Sequence, residues 1–184
     1  IRNVMGFLQD NCTLCVPLSP AEMTGFSCGD EDLDGFFAQD CFAYGKQLLG
    51  KTYCYKLDSD QNTIVCAFTL ANAGIRVSDM PNARKKKIEA DIPHVKSLKD
   101  YPTVLIGRLG VSQDFRSKHI GSEVIEYIKY WFFDSNNKTG CRFVIVAAVL
   151  FFVGTLFPYA YAAADNSLKQ LRTFVDVLEF VKEN

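Results

Sequence analysis

The sequence predicts an α/β protein folded as one domain over residues 1–184, and three observations carry that reading. Apolar content is 48%, with 15 Phe and 8 Tyr, ample material for a packed core at this length. Short strand-like runs rich in β-branched and aromatic residues alternate with stretches whose apolar residues recur at helical spacing. No internal repeat, low-complexity linker or charge block divides the chain. The formal net charge is −1, so composition gives no reason for wholesale nucleic-acid binding, and any basic surface is local.

In chain order, residues 12–17 read as a first strand. Within the following "GFSCGDEDLDGFFAQDCFAYGKQLL", Leu33, Phe36, Phe37 and then Ala43 or Tyr44 repeat at helical spacing, and acidic residues stand where a helix N-terminus favours them. "KTYCYKLD", the turn "SDQN" and "TIVCAFTLANAG" form a two-stranded hairpin. The polar, basic segment around Arg84-Lys85-Lys86-Lys87 and His94 predicts a short helix and a connecting loop; its basic run reads as a solvated face or an RNA phosphate contact. "TVLIGRLGV" is a fourth strand. Ile120, Val124, Ile128 and Trp131 then mark one face of an amphipathic helix, and "CRFVIVAA" a fifth, buried strand. The tail is ambiguous: Leu168, Leu171, Phe174, Leu178 and Val181 suit a helix, whereas "RTFVDVL" alternates like a strand.

Seven cysteines, an odd number, fit buried free thiols in a reducing cytosol better than a disulfide framework. Cys12 and Cys15 form a lone CxxC; Cys28 or Cys41 would have to complete a zinc site at a spacing that matches no compact one, so no metal is expected. The uncharged run from Phe143 to Ala164 is long enough to span a bilayer, but Gly154-Thr155, Pro158 and a β-branched start behind Arg142 divide it into strand, turn and a second element. No targeting signal is read, and a cytoplasmic protein with no membrane partner is expected. Neither G-x-x-x-x-G-K-[ST] nor G-x-G-x-x-G is present. The two histidines and the missing G-x-S-x-G offer no hydrolase triad.

The stretch between the fourth strand and the amphipathic helix carries the chemistry. The first N–H groups of a helix lack internal partners and sit at the positive end of its dipole, so a strand, a short loop of small residues and a helix make an anion site. Ser117, Gly121 and Ser122 are small; Arg116 and Lys118 bring charge.

"VSQDFRSKHIGSEVI" resembles the acyl-CoA signature of the GNAT acetyltransferase superfamily: Arg or Gln, two residues, Gly, one residue, then Gly or Ala. Arg116 matches the first position and Gly121 the last, while His119 stands where the superfamily has Gly. "LIGRLGV" is similar to the superfamily's fourth strand, and residues 25–125 resemble a subgroup that includes toxins acetylating aminoacyl-tRNA. The resemblance implies a GNAT-like acyl-CoA N-acyltransferase fold, a mixed and mostly antiparallel sheet flanked by helices. It implies acetyl-CoA as acyl donor, held by Leu109, Gly110 and Val111 along pantetheine and by Arg116, Ser117, Lys118, His119, Ile120, Gly121 and Ser122 around the pyrophosphate. The acceptor would be a primary amine, with aminoacyl-tRNA suggested by the subgroup; an antitoxin partner and a homodimer are the implied assemblies. The superfamily's Tyr that protonates the CoA thiolate is not found in "VLFFVGTLFPY". Tyr159 is the nearest replacement, with Tyr161 beside it, and the span 147–167 is too short for the helix and strand expected there. A CoA-binding regulatory protein without turnover is the rival reading, and a membrane-anchored protein the third.

Overall fold

The computed structural model describes residues 6–79, 82–90, 92, 99–134, 136–137, 139–147 and 175–179. A six-stranded sheet in the order β1-β2-β3-β4-β5-β6 forms its centre. The strands are β1 (Cys12–Cys15), β2 (Lys51–Leu57), β3 (Asp60–Arg76), β4 (Asp100–Val111), β5 (Phe143–Ala147) and β6 (Val175–Glu179). Every neighbouring pair is antiparallel except β4 and β5, which run parallel from Thr103↔Phe143 to Ile106↔Val146. The fold is thus mixed α/β with a mostly antiparallel sheet, as the sequence predicts. β6 resolves the ambiguous tail at 175–179 in favour of a strand.

The two faces of the sheet are covered by different helices. On one, α5 (Ile120–Phe133) places Ile120, Val124 and Ile128 against Phe68, Val104 and Ile106, all buried. Burying an aliphatic side chain of this size contributes about 1.5–3 kcal/mol, so this stripe pins the helix and therefore the loop before it. On the other face, the segment α2 (Glu31–Gly35), a π-helical turn (Phe36–Asp40) and α3 (Cys41–Lys46) buries Phe36, Phe37 and Cys41 against Cys54, Ile64 and Ala67. The expected continuous helix is therefore interrupted. The wider turn lets the adjacent Phe36 and Phe37 both face the sheet.

A short helix, α1 (Phe7–Asn11), precedes β1 and has no periodicity long enough to be read from sequence. Its N-terminus is capped from 115 residues away: the Glu123 carboxylate accepts from the N–H groups of Phe7 at 3.0 Å and Leu8 at 2.8 Å. Gly6 permits this approach, since a Cβ there would lie 2.5 Å from the Glu123 carboxylate. The polar segment forms α4 (Asn82–Glu89), where Lys85 pairs with Glu89 at 3.8 Å.

Strand alternation disposes of the CxxC as a chelate. Cys12 packs with the α5-side core and Cys15 with the α2-side core, so the two thiols leave β1 in opposite directions. Among the described residues no group of three His, Cys, Asp or Glu is arranged to hold a metal ion. The uncharged run begins as strand β5 rather than as a helix, and no described helix is long and apolar enough to cross a membrane. The rest of that run, with Tyr159, Tyr161 and the short span 147–167, lies outside the described residues apart from Ala147, as does His94.

Candidate functional site

β4 and β5 part company in mid-strand. In the β3·β4 ladder Thr69 faces Arg108 and Leu70 faces Ile106, which leaves Gly107 as the extra residue of a β-bulge. The parallel pairing with β5 reaches only Ile106↔Val146, while β4 continues to Val111. A bulge bends and twists its strand, and among the described residues no strand pairs with the edge of residues 107–111 turned away from β3. Leu109 and Val111 send their side chains into the α5-side core; Gly110 faces the other way, where a Cβ would meet Cys28 and Phe26 at 3.2–3.3 Å. The side chains of Leu109 and Val111 are thus spent on packing, and the backbone edge that pairs with no described strand is what these residues offer a ligand.

At the end of β4 the chain enters a short 3₁₀ turn, Gln113–Phe115, and reaches α5 through two left-handed residues, Ser117 at φ 66° and His119 at φ 56°. Left-handed backbone is the conformation in which a Cβ is disfavoured, which accounts for a glycine at this position in the superfamily signature. The His119 carbonyl accepts from the N–H groups of Ser122 at 3.0 Å and Glu123 at 3.1 Å. The N–H groups of Ile120 and Gly121 precede those first donors and belong to the set that helix geometry leaves without intrahelical partners. Ile120 is buried, so only its backbone faces the loop, and among the described residues outside its own helix nothing lies within 4 Å of a Cβ built on Gly121. Ser117, Lys118, His119 and Ser122 are exposed. Glu123, the acidic residue of the first turn, is occupied in capping α1.

The two cations of the loop are already engaged. Arg116 donates from its guanidinium to the Cys28 carbonyl. The Lys118 ammonium sits 4.3 Å from the centre of the Phe7 ring and 5.3 Å from that of Phe115, a cation–π arrangement. Sequence reasoning, which assigns both to the ligand as charges, does not foresee these anchors. They brace the loop between α1 and the segment 26–30.

That segment is tied to the site by its own network. The Asp34 carboxylate accepts from the Ser27 hydroxyl and the Cys28 N–H, both at 2.7 Å. Gln113 donates through its N–H to the Ser27 carbonyl at 3.1 Å and through its side-chain amide to the Ser27 hydroxyl at 3.1 Å. Burial works against ionised Asp34, yet the hydrogen bonds from Ser27 and Cys28 prevail and hold its carboxyl below the usual range. Burial, followed by the neighbouring Asp34, pushes the Cys28 thiol up to about 11, so it remains protonated near neutral pH and is no ready nucleophile. Further in, Arg108 lies with its guanidinium 5.3 Å from the Phe36 ring centre and 3.6 Å from an Asp32 carboxylate oxygen. No pattern in the sequence singles it out.

A bulged fourth strand is thus followed by a helix whose N-terminus is reached through left-handed residues. Solved structures share the overall fold. AtaT complexed with acetyl-methionyl-tRNAfMet superposes with TM-score 0.60 at 18% identity, covering 75% of this chain and 78% of that one. A tyrosine-to-phenylalanine mutant of KacT gives 0.61 at 18%, covering 76% and 79%, and AtaTR bound with AcCoA gives 0.58 at 18%, covering 76% and 78%. No protein-family model and no curated protein matches the chain. The structural neighbours are GNAT-type acetyltransferase toxins, and the fold of this chain is theirs.

Proposed function

We propose that this protein is an N-acetyltransferase that moves the acetyl group of acetyl-CoA to a primary amine, with the α-amino group of an aminoacyl-tRNA as acceptor. The observation that carries the reading is the joint geometry of β4 and α5: a strand edge with no partner among the described residues, leading to a helix N-terminus with exposed small residues around it. A pantetheine arm is an extended chain of amides, suited to pairing with the backbone of residues 109–111 as an added strand would be. The pyrophosphate at its other end suits the N–H groups from Ser117 to Ser122 and the positive end of the α5 dipole. Neighbours of the same fold were solved with acetyl-CoA, with tRNA and with antitoxin, which supports the donor, the acceptor class and an inhibitory protein partner. A cytoplasmic setting and a homodimer belong to the same reading.

In this scheme the strand edge and the helix end align the thioester with a neutral amine, and orientation supplies much of the rate. A backbone N–H of β4 past the bulge polarises the thioester carbonyl as the amine attacks. Collapse of the tetrahedral adduct expels the CoA thiolate, which takes a proton from an acid; Tyr159 is the candidate carried over from the sequence. His119 favours one rival, a CoA-binding protein without turnover, because its Cβ stands where the superfamily has none.

Transfer of labelled acetyl from acetyl-CoA to a panel of aminoacyl-tRNAs, small amines and peptide amines decides between them. Label on aminoacyl-tRNA, released as the acetylated amino acid on deacylation, is expected. Saturable acetyl-CoA binding with no transfer to any of the three would establish the regulatory rival instead.

A further inference from the structure

The two faces of the sheet divide the work of donor and acceptor, and this division, which rests on the proposed acetyl transfer, singles out one residue. A donor whose pyrophosphate sits at the N-terminus of α5 reaches that edge of β4 from the α5 face, so the attacking amine must come from the opposite face. That face is built by α2 and the π-helical turn, and Arg108 lies on it, one residue beyond the Gly107 bulge.

Arg108 is held as a ligand-binding arginine would be. Its guanidinium sits over the Phe36 ring, which the π-helical turn directs at the sheet; such turns recur at functional sites. Its Nε is buried and, among the described residues, has no hydrogen-bond partner. Its carboxylate neighbour among the described residues, Asp32, stands 3.6 Å away on a side chain that is 73% exposed. An ion pair of that kind contributes little and is readily exchanged. The planar fork of an Arg held over an aromatic ring, on a side chain that is 35% exposed, fits a phosphate in two-point contact.

We propose that Arg108 binds a backbone phosphate of the RNA acceptor, replacing Asp32 as its partner and positioning the aminoacyl end at that edge of β4. Asp32 then serves as the displaceable stand-in that holds the guanidinium in place before RNA arrives.

The test is steady-state kinetics of acetyl transfer to methionyl-tRNA with Arg108→Lys, Arg108→Gln and Asp32→Asn, alongside direct acetyl-CoA binding. Lys keeps charge and volume while losing the fork, so an effect there is not a folding defect. Both Arg108 variants are expected to raise the KM for methionyl-tRNA, Gln by about tenfold or more, with acetyl-CoA affinity unaltered. Asp32→Asn is expected to lower that KM. The dependence of log Kd on log salt for tRNA binding should lose about one phosphate contact, a slope change of roughly 0.7–0.9, in Arg108→Gln. A merely structural Arg108 would not change that slope. Unchanged KM and salt slope in an active protein with intact acetyl-CoA binding would overturn the proposal, as would a KM effect seen only with small carboxylate-bearing amines. A wild-type protein that transfers acetyl to no aminoacyl-tRNA would sink the acceptor reading and this proposal together.

Discussion

His119 concentrates the difference between this chain and the signature it resembles. At φ 56° it occupies left-handed backbone immediately before α5, where a side chain costs on the order of 1–2 kcal/mol. His119→Gly removes that strain and opens the backbone to the pyrophosphate, while the greater freedom of Gly in the unfolded chain offsets part of the gain. The expected outcome is an unchanged or higher denaturation midpoint and equal or tighter acetyl-CoA binding. A large loss of affinity would mean that the imidazole itself touches the ligand. The sequence reveals the substitution; that the position is left-handed, as Ser117 is two residues earlier, depends on how β4 and α5 are docked. Arg116 and Lys118 teach the same lesson, because their partners, Cys28 and Phe7, lie about ninety or more residues away in sequence.

At the scale of elements, β2, β3, β4 and β5 were legible because their apolar runs are buried, and α5 because its stripe packs on a single face. α1 was not, since five residues carry no period and its cap comes from Glu123. Nor was the π-helical turn, which inserts one residue per turn without altering composition, or the Gly107 bulge, which is a property of pairing. The segment 26–34 is where an element's order can be titrated. Asp34 has its folded-state pKa depressed, so its hydrogen bonds contribute stability in full above the unfolded value of about 3.9 and lose it as pH falls through the lower folded value. Asp34→Asn is therefore expected to be less stable than wild type at neutral pH, with the difference shrinking as pH drops below about 4. Denaturant melts across pH 2.5–7, a range chosen to bracket the carboxyl range roughly, check this. A difference independent of pH would remove the carboxylate's charge from the account of how that loop is held.

For the molecule as a whole, the sheet order, the parallel β4–β5 pair and the two unlike helical faces are what the proposal divides into a donor side and an acceptor side. The resemblance at 115–122 was legible in the sequence as an expected donor site; the placement of Arg108 over Phe36, on which the proposed acceptor side rests, depends on the packing of α2 against β4. The claim on which everything else depends is that acetyl-CoA lies along β4 with its pyrophosphate at the start of α5. Isothermal titration of acetyl-CoA into wild type, Arg116→Ala and Gly121→Leu tests it most directly. Arg116→Ala loosens the brace to Cys28 and removes a positive charge, and Gly121→Leu fills the open space beside the first free N–H groups. Wild type is expected to bind, and each variant to bind about tenfold or more weakly, the scale of one lost charge-assisted contact. Affinity equal to wild type in both variants, with their folds intact, would contradict the account.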